Sequence, residues 1–337
     1  MPRKFETSAF ERLQTFLENN NALTEAERLT PDASTREFFR IRFHDQTAIA
    51  CVYEETFDEG LPQLDVTDLF LKSDLPVAKI FAVHYDCGLV VHEDFGDRIL
   101  GDTLRQSDTS VRNDLINQAI SIIAQIQAAT PRAFEIDSIA SRLKFDHEKL
   151  LWELNFFKTH YFVSLRKTPL SDKMDFALTK EFVELSEELE RHATVLTHRD
   201  FHAANLMLDS NGSMKIIDHQ DARIGSVAYD LVSLLLDRIT EPPSQESLRD
   251  KKIFFLAERE KLGLGKIEPE DFDYEFDLMT VQRCLKAIGT FSNQAANFDK
   301  IQYLPYINPM FQVVLEACKR LGKYQTLQNI VEEQLGE

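Results

Sequence analysis

Three polar side chains have the types and the spacing of a catalytic group. Asp200 comes first, and Asn205 follows it five residues later. A hairpin is predicted between Asn205 and Asp218, with its turn at Asn211 and Gly212. Because the two outer ends of a hairpin lie side by side, Asn205 and Asp218 are expected to face each other, with Asp200 on the loop just before them.

These side chains suit phosphoryl transfer from ATP, in which negative charge spreads over the transferred group. Asn205 and Asp218 offer the hard oxygen ligands that Mg²⁺ prefers. Asp200 is expected to orient the acceptor hydroxyl and to take its proton, a contribution of roughly 10²- to 10⁴-fold in rate. The sequence therefore predicts a catalytic base at Asp200 and a Mg²⁺ site at Asn205 and Asp218, with ATP as the donor.

The chain before residue 96 is expected to form a small, mostly antiparallel sheet. A capping box of Ser8 and Glu11 precedes a first helix, and a short helix is predicted around residues 64–71. The segments with the pattern of strands are residues 37–43, 46–53, 78–85 and 88–93.

After residue 96 the pattern becomes helical. Apolar residues recur at helical spacing in residues 111–129, 145–162 and 175–192, and again from residue 227 to the end. We therefore expect an N-terminal lobe with the nucleotide-binding sheet at residues 1–95 and a helical C-terminal lobe at residues 96–337. The C-terminal lobe would carry the catalytic loop and the metal and acceptor sites.

The HRDxxxxN pattern, followed by a hairpin and a metal-binding aspartate, resembles the protein-kinase-like superfamily. The segments HRDFHAANLM and IDHQDARIGSVAYDLVSLL are similar to the aminoglycoside phosphotransferase branch of small-molecule kinases. Within that branch, DASTREFFRIRF, VVHEDFGDR and VQRCLKAIGTFSNQ fit the bacterial kinases of cell-wall recycling that phosphorylate N-acetylmuramate and N-acetylglucosamine at the anomeric hydroxyl. The resemblance covers nearly the whole chain. It implies an α+β, protein-kinase-like bilobal fold, with a small β-rich lobe and a larger, mostly helical lobe.

The resemblance also implies a nucleotide site. The loop that covers the phosphates is expected at Ser34, Thr35 and Arg36, and the backbone around Glu93 is expected to bond the adenine edge. This loop has no glycine, so hydroxyl groups and backbone N–H groups would hold the phosphates.

A lysine that contacts ATP is missing from the strand at residues 48–53, where relatives of this kind carry one. Arg36 is expected to replace it, or else Arg40 or Arg42 if one of them faces inward. The short helix at residues 64–71 offers no glutamate to which the partner role can be assigned.

Four further residues resemble positions that line the acceptor cleft: His202, Glu153, Arg283 and Lys286. A lactyl carboxylate on the acceptor would need a basic partner, with Arg283, Lys286 and Arg36 as candidates. Asp230 resembles a buried aspartate that braces the catalytic loop.

Composition limits the partners. The chain has 337 residues, and 56 acidic against 38 basic side chains give a formal net charge of −18. That charge repels nucleic acids and anionic membranes, so the expected partners are ATP and a small-molecule acceptor. No signal peptide is recognised, and no apolar run approaches the roughly 20 residues of a membrane span. A cytoplasmic protein is expected, with a monomer favoured. The cysteines show no metal-binding spacing and are expected to be reduced core thiols.

Two alternatives remain open. Within the kinases, the acceptor could instead be a cation such as an aminoglycoside or a choline-like amine, which would suit an acidic chain. In another class, the missing lysine and glycines would fit an inactive, nucleotide-binding pseudokinase. The intact Asp200, Asn205 and Asp218 argue against that second reading.

Overall fold

The computed structural model describes residues 4–20, 25–29 and 36–336. Ser34 and Thr35, predicted to bind phosphate, lie outside the described residues. By internal contacts the chain forms two units. The first comprises Met1–Arg105 and Ala204–Gln220, and the second comprises Gln106–Ala203 and Asp221–Glu337.

The elements follow in chain order. The strands are β1 (Glu27–Leu29), β2 (Glu37–Phe43), β3 (Gln46–Val52), β4 (Ile80–His84), β5 (Leu89–Glu93), β6 (Ala193–Thr197), β7 (Leu206–Leu208), β8 (Met214–Ile216) and β9 (Arg223–Ser226). The helices are α1 (Ala9–Asn19), α2 (Pro62–Lys72), α3 (Leu100–Gln106), α4 (Thr109–Ala128), α5 (Thr130–Glu135), α6 (Ile139–Arg142), α7 (His147–Lys158), α8 (Asp172–His192), α9 (Tyr229–Leu236), α10 (Gln245–Lys261), α11 (Pro269–Phe298), α12 (Ile307–Leu321) and α13 (Gln325–Gly336). The predicted strands and helices are present, with ends shifted by a few residues.

An antiparallel sheet forms the centre of the first unit, with the strand order β1-β2-β3-β5-β4. Helix α1 covers it, and the predicted capping box begins this helix. The Ser8 hydroxyl accepts a hydrogen bond from the Glu11 N–H, and the Glu11 carboxylate accepts one from the Ser8 N–H. The helix buries Leu13, Phe16 and Leu17 against apolar side chains of β2 and β3, so hydrophobic burial holds it on the sheet.

The hairpin β7–β8 belongs to the first unit, which differs from the expected division at residue 95. Leu206 pairs with Ile216, as the turn chemistry predicted. The Ile216 N–H donates to the Pro76 carbonyl at 2.9 Å, and the Leu208 N–H donates to the Arg98 carbonyl at 2.8 Å. Backbone bonds to residues distant in sequence therefore assign the hairpin to the first unit, although it lies between helical segments of the chain.

The second unit is built around α11, which packs against α7, α9 and α12. The two-stranded sheet β6–β9 is antiparallel, and the chain leaves β6 directly into residues 198–203. Within the parts of the chain that the structure describes, no helix has the length and apolarity to span a membrane. All four cysteines are free and buried.

A close helix contact at Gly289 sets the spacing of α11 and α7. A Cβ atom at Gly289 would lie 2.7 Å from the Phe157 Cα. Only a residue without a side chain allows this approach. Arg283 and Lys286 lie on the same helix, α11, so this contact also affects their position.

We expect Gly289→Ala to lower the free energy of unfolding by roughly 1–3 kcal/mol, because overpacking forces two backbones apart. Urea denaturation measures this change. Gly265→Ala is the matched control, since a Cβ there meets nothing within 4 Å. Equal stability of Gly289→Ala and wild-type protein would contradict the packing argument.

Candidate active site

The loop that carries Asp200 is held by a buried carboxylate. Asp230, at the start of α9, accepts hydrogen bonds from the His198 N–H at 2.7 Å and from the Arg199 N–H at 3.1 Å. Arg199 has a left-handed backbone with φ of 84°, a conformation that surroundings must hold for a residue with a side chain. Burial raises the pKa of Asp230 to about 7, although the two backbone hydrogen bonds act to lower it. Asp230 therefore has the bracing position that its sequence context predicted.

Asp200 lies among three cations of the second unit. Its carboxylate is 3.0 Å from the Lys286 Nζ, 3.5 Å from the Arg283 Nη2 and 3.8 Å from the Arg199 Nε. Burial raises the pKa of Asp200, but these charges outweigh burial and hold the pKa well below its ordinary value. Asp200 is therefore ionised at neutral pH and can accept a proton.

Arg283 and Lys286 contact the same carboxylate but differ in access. Arg283 is 2% exposed, and its guanidinium is paired with Asp237 at 2.9 Å and bonded to the Ser233 hydroxyl at 3.0 Å. Lys286 is 15% exposed. Of the two, Lys286 is the accessible cation. Arg283 is held inside the unit by Asp237, a partner that the sequence pattern did not indicate.

The other two acceptor-cleft candidates, His202 and Glu153, have different surroundings. His202 is partly exposed, and its N–H donates to the Asp200 carbonyl at 3.0 Å. Burial lowers the pKa of His202, which keeps its imidazole neutral. Glu153 is 1% exposed, and its carboxylate accepts a hydrogen bond from the Gln282 side chain at 2.9 Å. His202 thus lies beside Asp200, whereas Glu153 is buried against α11.

In the first unit, the hairpin brings Asn205 and Asp218 to its open end. The Asn205 carbonyl accepts a hydrogen bond from the Ile217 N–H at 3.1 Å, which places Asp218 one residue beyond the paired position. Asp218 has a left-handed backbone with φ of 62°. Its Oδ1 accepts from the Arg36 guanidinium at 3.3 Å and from the Gln220 amide at 3.0 Å.

This pair has the chemistry of a Mg²⁺ site that is completed by a substrate. Asn205 and Asp218 carry hard oxygen atoms, and a cation, the Arg36 guanidinium, already lies against the carboxylate. Among the residues described here, no group of three or more His, Cys, Asp or Glu side chains could hold a metal ion by itself. Mg²⁺ binds in this way in many kinases, through one or two protein ligands together with phosphate oxygens.

The three arginines considered as substitutes for the missing lysine have different surroundings. Arg36 reaches Asp218 and is also hydrogen-bonded to Tyr53. Arg40 is bound to Asp94 at 2.8 Å and to Asp97 at 2.7 Å, and Arg42 is exposed. Arg36 is therefore the one of the three that contacts Asp218.

Glu93, from the sequence analysis, and Asp221, three residues after Asp218, also have defined partners. The Glu93 N–H donates to the Lys79 carbonyl at 2.9 Å, and the Glu93 carbonyl accepts a hydrogen bond from the His92 Nδ1 at 3.0 Å. Asp221 pairs with Arg199 at 2.9 Å in the second unit. Its carboxylate therefore stabilises the loop arginine.

Comparison with known proteins identifies relatives of this chain. An N-acetylmuramate/N-acetylglucosamine kinase of Neisseria meningitidis serogroup B is 28% identical over 309 residues, which cover 91% of this chain and 89% of the relative. A kinase of the same name from Pseudomonas aeruginosa is 25% identical, over 86% of this chain and 82% of the relative.

Among solved structures, a microcompartment-associated aminopropanol kinase matches with a TM-score of 0.60 at 16% identity, over 93% of this chain and 98% of the other. This likeness confirms the predicted α+β, protein-kinase-like fold. The sequence model of the phosphotransferase enzyme family matches residues 25–264. The match spans more than half of the chain, so the protein belongs to the phosphotransferase enzyme family, and it is a small-molecule kinase.

Proposed function

We propose that the protein uses ATP and Mg²⁺ to phosphorylate N-acetylmuramate and N-acetylglucosamine at the anomeric hydroxyl. One observation carries the kinase chemistry. A single hairpin presents Asn205 and Asp218 at its open end, five residues after an ionised Asp200. The names of the two bacterial relatives support the choice of acceptor. The four free thiols and the use of ATP favour the cytoplasm as the compartment.

Each residue has a separate task in this proposal. The hydroxyl oxygen of the acceptor would attack the transferred phosphoryl group, and ADP would leave. Asp200 would take the proton of that hydroxyl. Asn205 and Asp218 would hold Mg²⁺, which neutralises charge on the phosphates. Arg36 would contact the phosphates from the same side as Asp218, together with Ser34 and Thr35, and the backbone near Glu93 would bond the adenine edge.

The charge around Asp200 bears on the class of acceptor. Lys286, Arg283 and Arg199 all lie within 4 Å of its carboxylate. A polycationic aminoglycoside would meet like charges there, whereas a neutral or acidic sugar would not. The accessible Lys286 is suited to a lactyl carboxylate, and His202 lies beside the base, where it could contact the sugar. Glu153 remains a candidate only if acceptor binding exposes its carboxylate.

We expect Asp200→Asn to lower kcat at least ~10²-fold with N-acetylglucosamine, because the amide cannot accept the proton. The dissociation constant of ADP should change little. Steady-state kinetics and calorimetric titration measure the two quantities. Asp172→Asn, an exposed position at the start of α8, is the control for charge removal. Unchanged turnover of Asp200→Asn would remove this residue from the mechanism.

The acceptor specificity is tested with N-acetylmuramate, N-acetylglucosamine and kanamycin. We expect phosphate at C1 of both sugars by phosphorus NMR and no turnover of kanamycin. Lys286→Met should lower kcat/KM for the muramate relative to the glucosamine by roughly 10- to 150-fold, since a charged hydrogen bond contributes about 1.5–3 kcal/mol. Lys180→Met, on an exposed face of α8, should leave the ratio unchanged. Efficient turnover of kanamycin would overturn the choice of acceptor and leave the kinase class intact.

Lys286→Met should also move the acid limb of the pH profile. Asp200 has a depressed pKa, so it stays ionised as the pH falls below neutrality. Removal of one cation raises that pKa, and the activity with N-acetylglucosamine should then decline at a higher pH than in the wild-type protein. The profile of kcat/KM against pH measures the shift. Superimposable acid limbs would show that Lys286 does not act on the base.

A further inference from the structure

Helix α2 approaches the Asp218 segment without the ion pair that kinases commonly use there. In protein kinases, a strand lysine and a helix glutamate pair when the site is assembled. Here the strand at residues 48–53 has no lysine, and α2, with the sequence PQLDVTDLFLK, has no glutamate. All the contacts described below lie within the first unit.

The contact that α2 makes instead is a hydrogen bond between a threonine and a histidine. The Thr67 Oγ1 is 2.7 Å from the His219 Nε2. Thr67 is 2% exposed and His219 is 7% exposed. Water therefore does not compete effectively for either group, and loss of the bond would leave a buried polar atom to be satisfied. Phe70, one turn further along α2, stacks on the His219 ring, with centroids 5.2 Å apart and planes inclined by 22°.

The residue that this contact fixes is the immediate neighbour of Asp218. The backbone of Asp218 is left-handed, which a residue with a Cβ adopts only when its surroundings hold it. The buried ring of His219, fixed on one edge by Thr67 and on one face by Phe70, supplies such a constraint. The direction of the Asp218 carboxylate therefore depends on α2.

A second route joins α2 to the same carboxylate. The Tyr53 hydroxyl, at the end of β3, is hydrogen-bonded to Gln63 at the start of α2. Tyr53 is also bonded to Arg36, whose guanidinium contacts Asp218 at 3.3 Å. Helix α2 is thus connected to Asp218 through His219, the next residue in the chain, and through Tyr53 and Arg36. On α2 itself, both connections are made by uncharged side chains.

We propose that Thr67 is a positioning residue, whose hydroxyl fixes His219 and thereby holds Asp218 in the conformation that binds Mg²⁺. The inference rests on the proposed function in one respect, the assignment of Mg²⁺ to Asp218. Its consequence is specific: the affinity for the metal depends on α2, whereas recognition of the acceptor, by residues of the second unit, does not.

The test uses Thr67→Val, which keeps the shape and removes the hydroxyl, and Thr67→Ser, which keeps the hydroxyl. Thr280→Val is the matched control, because Thr280 is a buried helical threonine whose hydroxyl bonds only its own helix at Phe276. For each protein, the melting temperature is measured with ADP and MgCl₂ and with ADP and EDTA. The Mg²⁺ concentration that gives half the maximal rate is measured at saturating ATP.

In Thr67→Val, we expect the Mg²⁺-dependent part of the thermal shift to fall below half of the wild-type value. The half-saturating Mg²⁺ concentration should rise roughly 2- to 10-fold, as expected for one hydrogen bond. The shift with ADP and EDTA and the KM for the acceptor should be retained. Thr67→Ser and Thr280→Val should keep the wild-type Mg²⁺-dependent shift, even if their melting temperatures without ligand are lower.

Equal Mg²⁺-dependent shifts in Thr67→Val and wild-type protein would overturn the inference and reduce Thr67 to a packing residue. Loss of the ADP shift in EDTA as well would also overturn it, because α2 would then support the nucleotide as a whole. If wild-type protein shows no Mg²⁺-dependent shift, the proposed metal site itself fails. Should Thr67→Val not fold, His219→Phe removes the same bond from the other side, keeps a ring on Phe70, and must give the same loss.

Discussion

The catalytic loop depends on one buried carboxylate. Asp230 accepts two backbone N–H groups from His198 and Arg199, and no side chain of the loop could be placed without them. Burial of a carboxylate is costly, and the raised pKa of Asp230 reflects that cost. The cost is tolerated because the two N–H groups would otherwise be buried without partners. Asp200 follows directly, so its position derives from a contact that it does not itself make.

Charges of alternating sign in the second unit keep the Asp200 carboxylate ionised. Asp237 holds Arg283, and Arg283 and Lys286 in turn face Asp200. Arg199 pairs with both Asp200 and Asp221. Each of these charges therefore has a partner of opposite sign, which is the condition under which buried ions are tolerated. The same arrangement holds the pKa of Asp200 well below its ordinary value, so the carboxylate is ionised at neutral pH.

Local patterns were sufficient to predict most of the helices and strands. The Ser8 capping box, the hairpin around Asn211-Gly212 and the periodic helices all follow from interactions between residues close in sequence. The contacts that tune the site are not local. Lys286 is 86 residues from Asp200, and Thr67 is 152 residues from His219. No spacing rule links such positions, and the missing strand lysine indicated only that some other arrangement must exist.

The hairpin at residues 204–220 makes the first unit discontinuous in the chain. During synthesis, the sheet emerges from the ribosome well before the hairpin, and residues 106–203 of the helical unit come between them. The carbonyls of Pro76 and Arg98 therefore have no hairpin partners until the N–H groups of Ile216 and Leu208 have been made. The β-rich unit is therefore incomplete until the hairpin has been made, and this one segment supplies both Asn205 and Asp218. A truncated product that ends before residue 204 would contain the strands of the sheet but neither of these two residues.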